Sequence, residues 1–261
     1  MEGRRSRAVL SFVAPALGMV HSGAMTATRT ARERAREEIT AEILSAARAQ
    51  LRETGPAALS LRAVARDVGM VSSAVYRYFA SRDELLTALL IAAYDDLGAA
   101  AEAADDAVTD RRDYPGRWMA TCRAVRAWSV AHPHDYALLY GSPVPGYAAP
   151  QDTVGPATRV IVRLVEIITD AHAAGATEPV AARGSEDPSM FVAGAIAYMR
   201  DRQVAADDVP PEVVVRTLIA WSSLFGTLSF ELFGHLKGSV SDFEAYFEAV
   251  SLRLAGDIGL A

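Results

Sequence analysis

The chain has 261 residues, long enough to bury a sizeable core as one large domain or a small domain plus a larger one. Its 51 % hydrophobic and 22 % charged residues exclude a disordered chain, and its single cysteine, Cys122, excludes an intrachain disulfide or a cysteine metal cluster, which suits a reducing compartment. The net charge of −6 argues against a nucleic-acid binder on average, but the charge is split: residues 1–27 carry +2, residues 28–82 carry +4 and residues 83–261 carry −12, so a basic head that could meet a polyanion precedes an acidic body.

Residues 1–27 hold arginines and then an apolar run interrupted by proline, "MEGRRSRAVLSFVAPALGMV". That pattern resembles a weak secretory signal and is too short to span a membrane. It is expected to be an unstructured extension, with Met25 as an alternative start. A first helix follows, with Ile39, Ile43, Leu44, Ala47 and Leu51 on one face, and Gly55-Pro56 ends it. Ser60 is the expected N-cap of a short helix whose stripe is Leu61, Val64, Ala65 and Val68, with Gly69 as its break. A third short helix begins near Ser72. A fourth opens at Asp83-Glu84, where acidic residues suit the helix dipole. Three helices over residues 30–80, the last two joined by a tight glycine turn, have helix-turn-helix geometry.

Further helices are expected over 115–131, 157–174, 188–205, 211–234 and 242–255. The Gly- and Pro-rich run "GSPVPGYAAPQDTVGP" cannot be a helix interior, and "AAGATEPVAARGSEDP" is the most linker-like stretch. No alternation of strand type persists. The fold class is therefore all-α: a possible extension at 1–27, a helix-turn-helix domain at 28–82, and a helical body at 83–261.

Nothing in this pattern predicts an enzyme or a cofactor. His132 and His134 are too sparse for a metal site, paired acids such as Asp95-Asp96 and Asp105-Asp106 lie near helix ends, and there is no phosphate-binding glycine loop or nucleophile with its base. The rivals to a DNA-binding protein are an all-helical enzyme and a helical protein adaptor. The adaptor would leave the basic head unexplained.

The stretch "LSLRAVARDVGMVSSAVYRYFASRDELLTALL" resembles the DNA-binding region of the tetracycline-repressor (TetR) family of bacterial transcriptional regulators. The likeness rests on Gly69, Tyr76, Tyr78, Phe79, Arg82, Glu84 and Leu85, and covers about 55 residues. Trp128, His132-Pro133 and Gly141 resemble the Trp-His-Gly (WHG) C-terminal subgroup of that family. Two positions depart from the pattern. Val71 stands where a capping serine is usual, so the cap should pass to Ser72 or Ser73, and Tyr78 replaces a common histidine.

The resemblance implies a cytoplasmic, ligand-responsive DNA-binding regulator, most simply a repressor. An activator or dual regulator has the same head. Val75 and Phe79 should face the head core. Tyr76 and Tyr78 should offer hydroxyls to phosphates, with Arg82 adding charge. Ser72, Ser73 and Arg77 could reach base edges, and Arg62 is the best candidate for bidentate contact with guanine. Ser60, at a helix N-terminus, could bring backbone N–H groups to a phosphate. The partners are then a palindromic double-stranded operator, a second copy of the chain, because one head reads only a few base pairs, and a small-molecule inducer, with no membrane. The last two helices are assigned to the dimer. The inducer is assigned to Trp118, Cys122, Trp128, Tyr136, Tyr140, Phe191 and Tyr198, each alone most simply a core residue, with Ala195 in the pocket wall and the fourth helix as hinge. Few basic residues lie in these helices, which disfavours a strongly anionic inducer.

Overall fold

A computed structural model describes residues 30–177, 187–202 and 209–260. The chain divides into two units, residues 1–38 and 39–261. The expected extension at 1–27, most of the linker-like stretch, and the last residues of the expected 188–205 helix lie outside the described residues.

Helix α1 (Ala31–Thr54) opens on a reciprocal cap within the first unit: the Glu33 amide donates to Thr30 Oγ1 at 3.2 Å and the Thr30 amide donates to Glu33 Oε2 at 2.8 Å. Helices α2 (Leu61–Asp67), α3 (Ser72–Val75) and α4 (Arg82–Asp106) follow. Ser81 caps α4 by accepting from the Glu84 amide at 3.1 Å, and the Glu84 carboxylate accepts from the Ala80 amide at 2.8 Å. This sharp start explains why α4 begins within a residue of the expected position. Ile43, Ala47 and Leu51 of α1 pack with Leu61, Val64 and Ala65 of α2, Val75, Phe79, and the leucines 85, 86, 89 and 90 of α4. The stripes expected from 3.6-residue spacing are thus the ones buried.

The body comprises α5 (Tyr114–Ala131), α6 (Pro133–Tyr140), α7 (Val154–Ala173), α8 (Ser189–Arg202), α9 (Pro211–Leu232) and α10 (Phe243–Ile258). Helix α6 has no counterpart among the expected elements; Pro133 in its first turn, where a missing N–H costs nothing, was its signal. Helix α7 starts three residues before the expected 157, because Gly155 and Pro156 fall in a first turn whose amides have no helical partner in any case. Among the described residues there is no strand. Helix α9 is long and apolar enough to cross a membrane by length and composition alone. Here its Val214, Ala220, Leu224, Phe225 and Leu228 are buried, and it packs against α7, α8 and α10.

Helix α4 runs from the head into the body and packs along α5 and α7. Gly98 allows the close approach to α7: a Cβ there would lie 2.7 Å from Arg159 Cβ. At its C-terminal end the buried Asp105 carboxylate collects three guanidinium groups. Arg117 binds it with both Nε (2.7 Å) and Nη2 (3.2 Å), Arg111 Nη2 lies at 2.7 Å and Arg163 Nη1 at 3.1 Å. Arg117 also reaches Asp170 of α7 at 2.9 Å. This buried ionic cluster ties α4, α5 and α7 together.

Candidate nucleic-acid interface

The turn between α2 and α3 is made by local geometry. Gly69 has φ +68°, a value that L side chains rarely adopt, and the Met70 amide reaches back to the Ala65 carbonyl at 2.8 Å, closing α2. Helix α3 follows with Val71 at its N-cap. No side chain caps it, so the expected transfer of the cap to Ser72 or Ser73 does not occur, because both serines already lie inside the helix. Ser60 does stand at the N-cap position of α2, but its hydroxyl makes no cap bond; its amide is held by Gln50 Oε1 at 3.3 Å.

Val75 and Phe79 point into the head core, which turns the other face of the motif outward. On that face Arg62, Arg66, Ser73 and Arg77 are exposed, Tyr76 is 45 % exposed, and Ser60, Ser72 and Tyr78 are half-buried. A surface of arginine, serine and tyrosine on a short helix after a tight turn matches what phosphate and base-edge contacts require. Arg82, expected to add charge at the phosphates, also has a structural contact. Its Nη2 donates to the Pro56 carbonyl at 2.7 Å and the Ala57 carbonyl at 3.3 Å, which pins the α1–α2 connection to the start of α4. Sequence spacing could not show this, because the partners lie 26 and 25 residues away.

Side chains also tie the head to the body. Arg48 of α1 donates to Asp96 of α4 at 2.9 Å and lies 3.7 Å from Asp135 of α6. The Thr87 and Tyr147 hydroxyls are 2.8 Å apart. Leu138, Leu139 and Val144 pack against the head core.

In the body, α7, α8 and α9 line a partly open cavity of about 240 Å³. Helix α7 contributes Ile161, Val162 and Val165, and α9 contributes Val214, Leu218 and Trp221. Helix α8 contributes Ala195, Tyr198 and Met199, and among the described residues the lining carries no charged side chain. Thr158 Oγ1 and the Tyr198 hydroxyl meet at its edge, 2.6 Å apart. One residue on, Arg159 grips α4: it binds both oxygens of Glu102, at 2.8 and 2.6 Å, and the carbonyl and carboxylate of Asp95, each at 2.9 Å.

The family model for bacterial regulatory proteins of the tetR family matches residues 43–89, which is the head just described. The model for the tetracyclin repressor-like C-terminal domain matches residues 118–254, more than half of the chain. The chain belongs to the TetR family. HTH-type transcriptional regulator Rv1816 of Mycobacterium tuberculosis is 46 % identical over 206 residues, covering 78 % of this chain and 84 % of that protein. The solved regulatory protein SCO4313 is 36 % identical and superimposes with a TM-score of 0.68, covering 87 % of this chain and all of that one. A solved protein of unknown function from Rhodococcus sp. RHA1, 23 % identical with a TM-score of 0.63 over 85 % of this chain and 95 % of that one, shares the fold. This TetR-family protein is a DNA-binding transcriptional regulator built from a helix-turn-helix head and an all-helical body.

The structure separates the residues expected to hold the inducer. Only Tyr198 lines the cavity between α7, α8 and α9. Trp118, Cys122, Trp128 and Tyr136 belong to the main core, with Tyr140 packed against it. Two of them are fastened across it: the Trp118 indole donates to the Ser251 carbonyl at 3.0 Å, and the Tyr136 hydroxyl to the Phe225 carbonyl at 2.8 Å. Burial pushes the Tyr136 hydroxyl up to about 12, so it remains a donor. Phe191 is 65 % exposed on α8 and lines no part of this cavity. The cavity walls that sequence reasoning missed are the aliphatic residues of α7 and α9. The alternation of Ile161, Val165, Val214 and Leu218 with their helix faces reads as ordinary core until three helices are seen to leave a gap.

His132 contributes to packing: its Nδ1 lies 2.9 Å from the Trp128 carbonyl and its ring lies 5.0 Å from the indole. Cys122 is 2 % exposed and burial pushes its thiol well above the usual range, so it is a neutral core residue. Iodoacetamide should leave it unmodified in the folded protein and alkylate it once the protein is unfolded. Rapid labelling of the native protein would contradict this burial.

Proposed function

We propose that this regulator is a cytoplasmic repressor that binds a palindromic operator as a homodimer and is released by a small molecule in its body. The observation that carries the DNA contact is the outward face of the motif. Val64, Val75 and Phe79 are drawn into the core, and the same turn of chain leaves Arg62, Ser73, Tyr76 and Arg77 in solvent. Arg62 is assigned to a guanine edge, Ser72, Ser73 and Arg77 to neighbouring base edges, and Ser60, Tyr76, Tyr78 and Arg82 to phosphates. Arg82 would do this with the N–H groups not directed at Pro56 and Ala57.

Dimerisation is supported by one face of the last two helices. Ile219, Ser222, Gly226 and Phe230 of α9, and Phe233 at its C-cap, recur at three- and four-residue spacing and are all exposed. Leu252 and Gly256 are exposed on α10, which packs against α9. An apolar stripe punctuated by glycine lets a partner helix approach closely.

The test is titration of the chain onto its own upstream DNA over a range of salt. Arg62→Ala should cost roughly 1–3 kcal/mol on the operator and relax preference at one position of each half-site. Arg82→Ala should weaken binding to all sequences and reduce the salt slope by roughly one. It should also lower thermal stability, since the Pro56 and Ala57 carbonyls lose their donor. If Arg82→Ala leaves the salt slope unchanged, the residue is purely structural. If Arg62→Ala binds operator as well as the wild type, its assignment is wrong.

A further inference from the structure

The release mechanism above requires a small-molecule site, and the body narrows its chemistry. We propose that the cavity between α7, α8 and α9 is that site and that it takes an uncharged one- or two-ring compound whose single polar group engages the Tyr198 hydroxyl. The inference rests on the proposed repressor reading for its consequence but not for the binding itself.

Size comes first. A cavity of about 240 Å³ exceeds the roughly 150 Å³ apolar cavity that stays dry and holds benzene. It falls short of the roughly 300 Å³ at which drug-sized sites begin. Charge comes second. Among the described residues Tyr198 is the one ionisable side chain in the lining, and the surface the cavity presents is apolar, so an ionic ligand would be desolvated without a partner. The adjoining groove does not supply one. It shares Thr158, Val162 and Tyr198 with the cavity, but the charge of its Arg159 is matched by Glu102 and Asp95, and that of its Arg163 by Asp105, Asp106 and Glu166 at Nη1, while the buried Arg163 Nε has no partner among the described residues.

Polarity comes third. Thr158 Oγ1 lies 2.9 Å from the carbonyls of both Val154 and Gly155, which can only accept. The threonine proton therefore points to its own helix, and Tyr198 donates to Thr158. The Thr217 hydroxyl is likewise satisfied by the Val213 carbonyl at 2.7 Å. The Tyr198 proton now directed at Thr158 is thus one that a ligand oxygen at the cavity edge can take over. That exchange loosens α8 from the first turns of α7. The next residue, Arg159, holds α4 at Asp95 and Glu102 over the Cβ-less surface of Gly98, so a shift of α7 is passed to the helix that carries the head.

The experiment uses the full chain and three matched probes, naphthalene, 2-naphthol and 2-naphthoate, in calorimetric titrations near neutral pH, followed by operator release. The phenol, which can accept from Tyr198 and donate in turn to Thr158 Oγ1, should bind about three- to tenfold tighter than the hydrocarbon, the increment of one neutral hydrogen bond, and the carboxylate should bind far more weakly. Tyr198→Phe should erase the advantage of the phenol while leaving the hydrocarbon unchanged. Ala195→Trp should abolish binding of both while the protein still holds its operator; if that variant fails to fold, the Tyr198→Phe comparison decides. The proposal is overturned if no probe binds, if the carboxylate binds as tightly as the phenol, or if Tyr198→Phe leaves the preference intact. A different result, in which the phenol binds as expected but the free protein does not hold its upstream DNA or is not released, would overturn the repressor reading and leave the cavity assignment standing.

Discussion

Replacing Leu252 by glutamate should convert the protein to a monomer whose operator affinity falls about 100- to 10,000-fold, the range lost when a second linked contact is removed. Leu252 is 56 % exposed on α10, the helix that packs against α9 with its exposed Ile219 and Phe230. A two-fold interface would bring the introduced carboxylate and its symmetry mate into one apolar surface, where neither has a cationic partner. The head itself should be unaffected, since its core comprises residues of α1 to α4 and a few side chains of α6 and the following loop. Sedimentation velocity would report the mass and fluorescence anisotropy the affinity. A variant that stays dimeric and binds at full strength would remove α9 and α10 from the interface. A monomer that binds at full strength would show that one head suffices.

Asp105→Asn should destabilise the fold by about 3–5 kcal/mol, because it withdraws the anion from a buried cluster and leaves Arg117 without its main partner. The substitution hardly changes volume, so the loss would be electrostatic. It also carries a pH signature. Burial raises the Asp105 carboxyl, but hydrogen bonds from Arg117 and Arg111 outweigh this, and the net effect is a value below the usual carboxylate range. A lowered folded value means that the stabilisation is complete above the unfolded value of about 3.9 and is lost as pH falls through the folded one. Denaturant midpoints of wild type and Asp105→Asn should therefore differ most near neutrality and converge in acid. Equal midpoints at neutral pH would show that the cluster contributes specificity and no net stability.

Much of the head was legible from local pattern. The stripes of α1 and α2, Gly69, Val75 and Phe79 act over spacings of three, four or seven residues, and the turn between α2 and α3 needs only one residue with positive φ. The Ser81–Glu84 cap is equally local, and so the start of α4 fell close to its expected place. The TetR resemblance rested on these same residues. The body was legible as helices and not as a site. Aromatic content marked Trp118, Trp128 and Tyr136 as ligand candidates, yet all three are packed in the main core, Trp118 and Tyr136 fastened to α10 and α9. Phe191 and Tyr198 are seven residues apart on α8 and share a face by periodicity. One is exposed and the other lines the cavity, because the neighbouring helices decide what covers each turn.

The sequence by itself determined most of the elements, the polarity of each helix face and the exposed Arg62, Arg77 and Tyr76 of the motif, since these follow from backbone preference and the period of a single helix. Only the tertiary structure decided which charges are paired and where space is left. Arg82 meets carbonyls 25 and 26 residues away, Arg163 meets Asp105 across 58, and the cavity exists only where α7, α8 and α9 fail to close. Such pairings depend on how whole helices pack, and packing is set by the sum of all their contacts, which no window of residues contains.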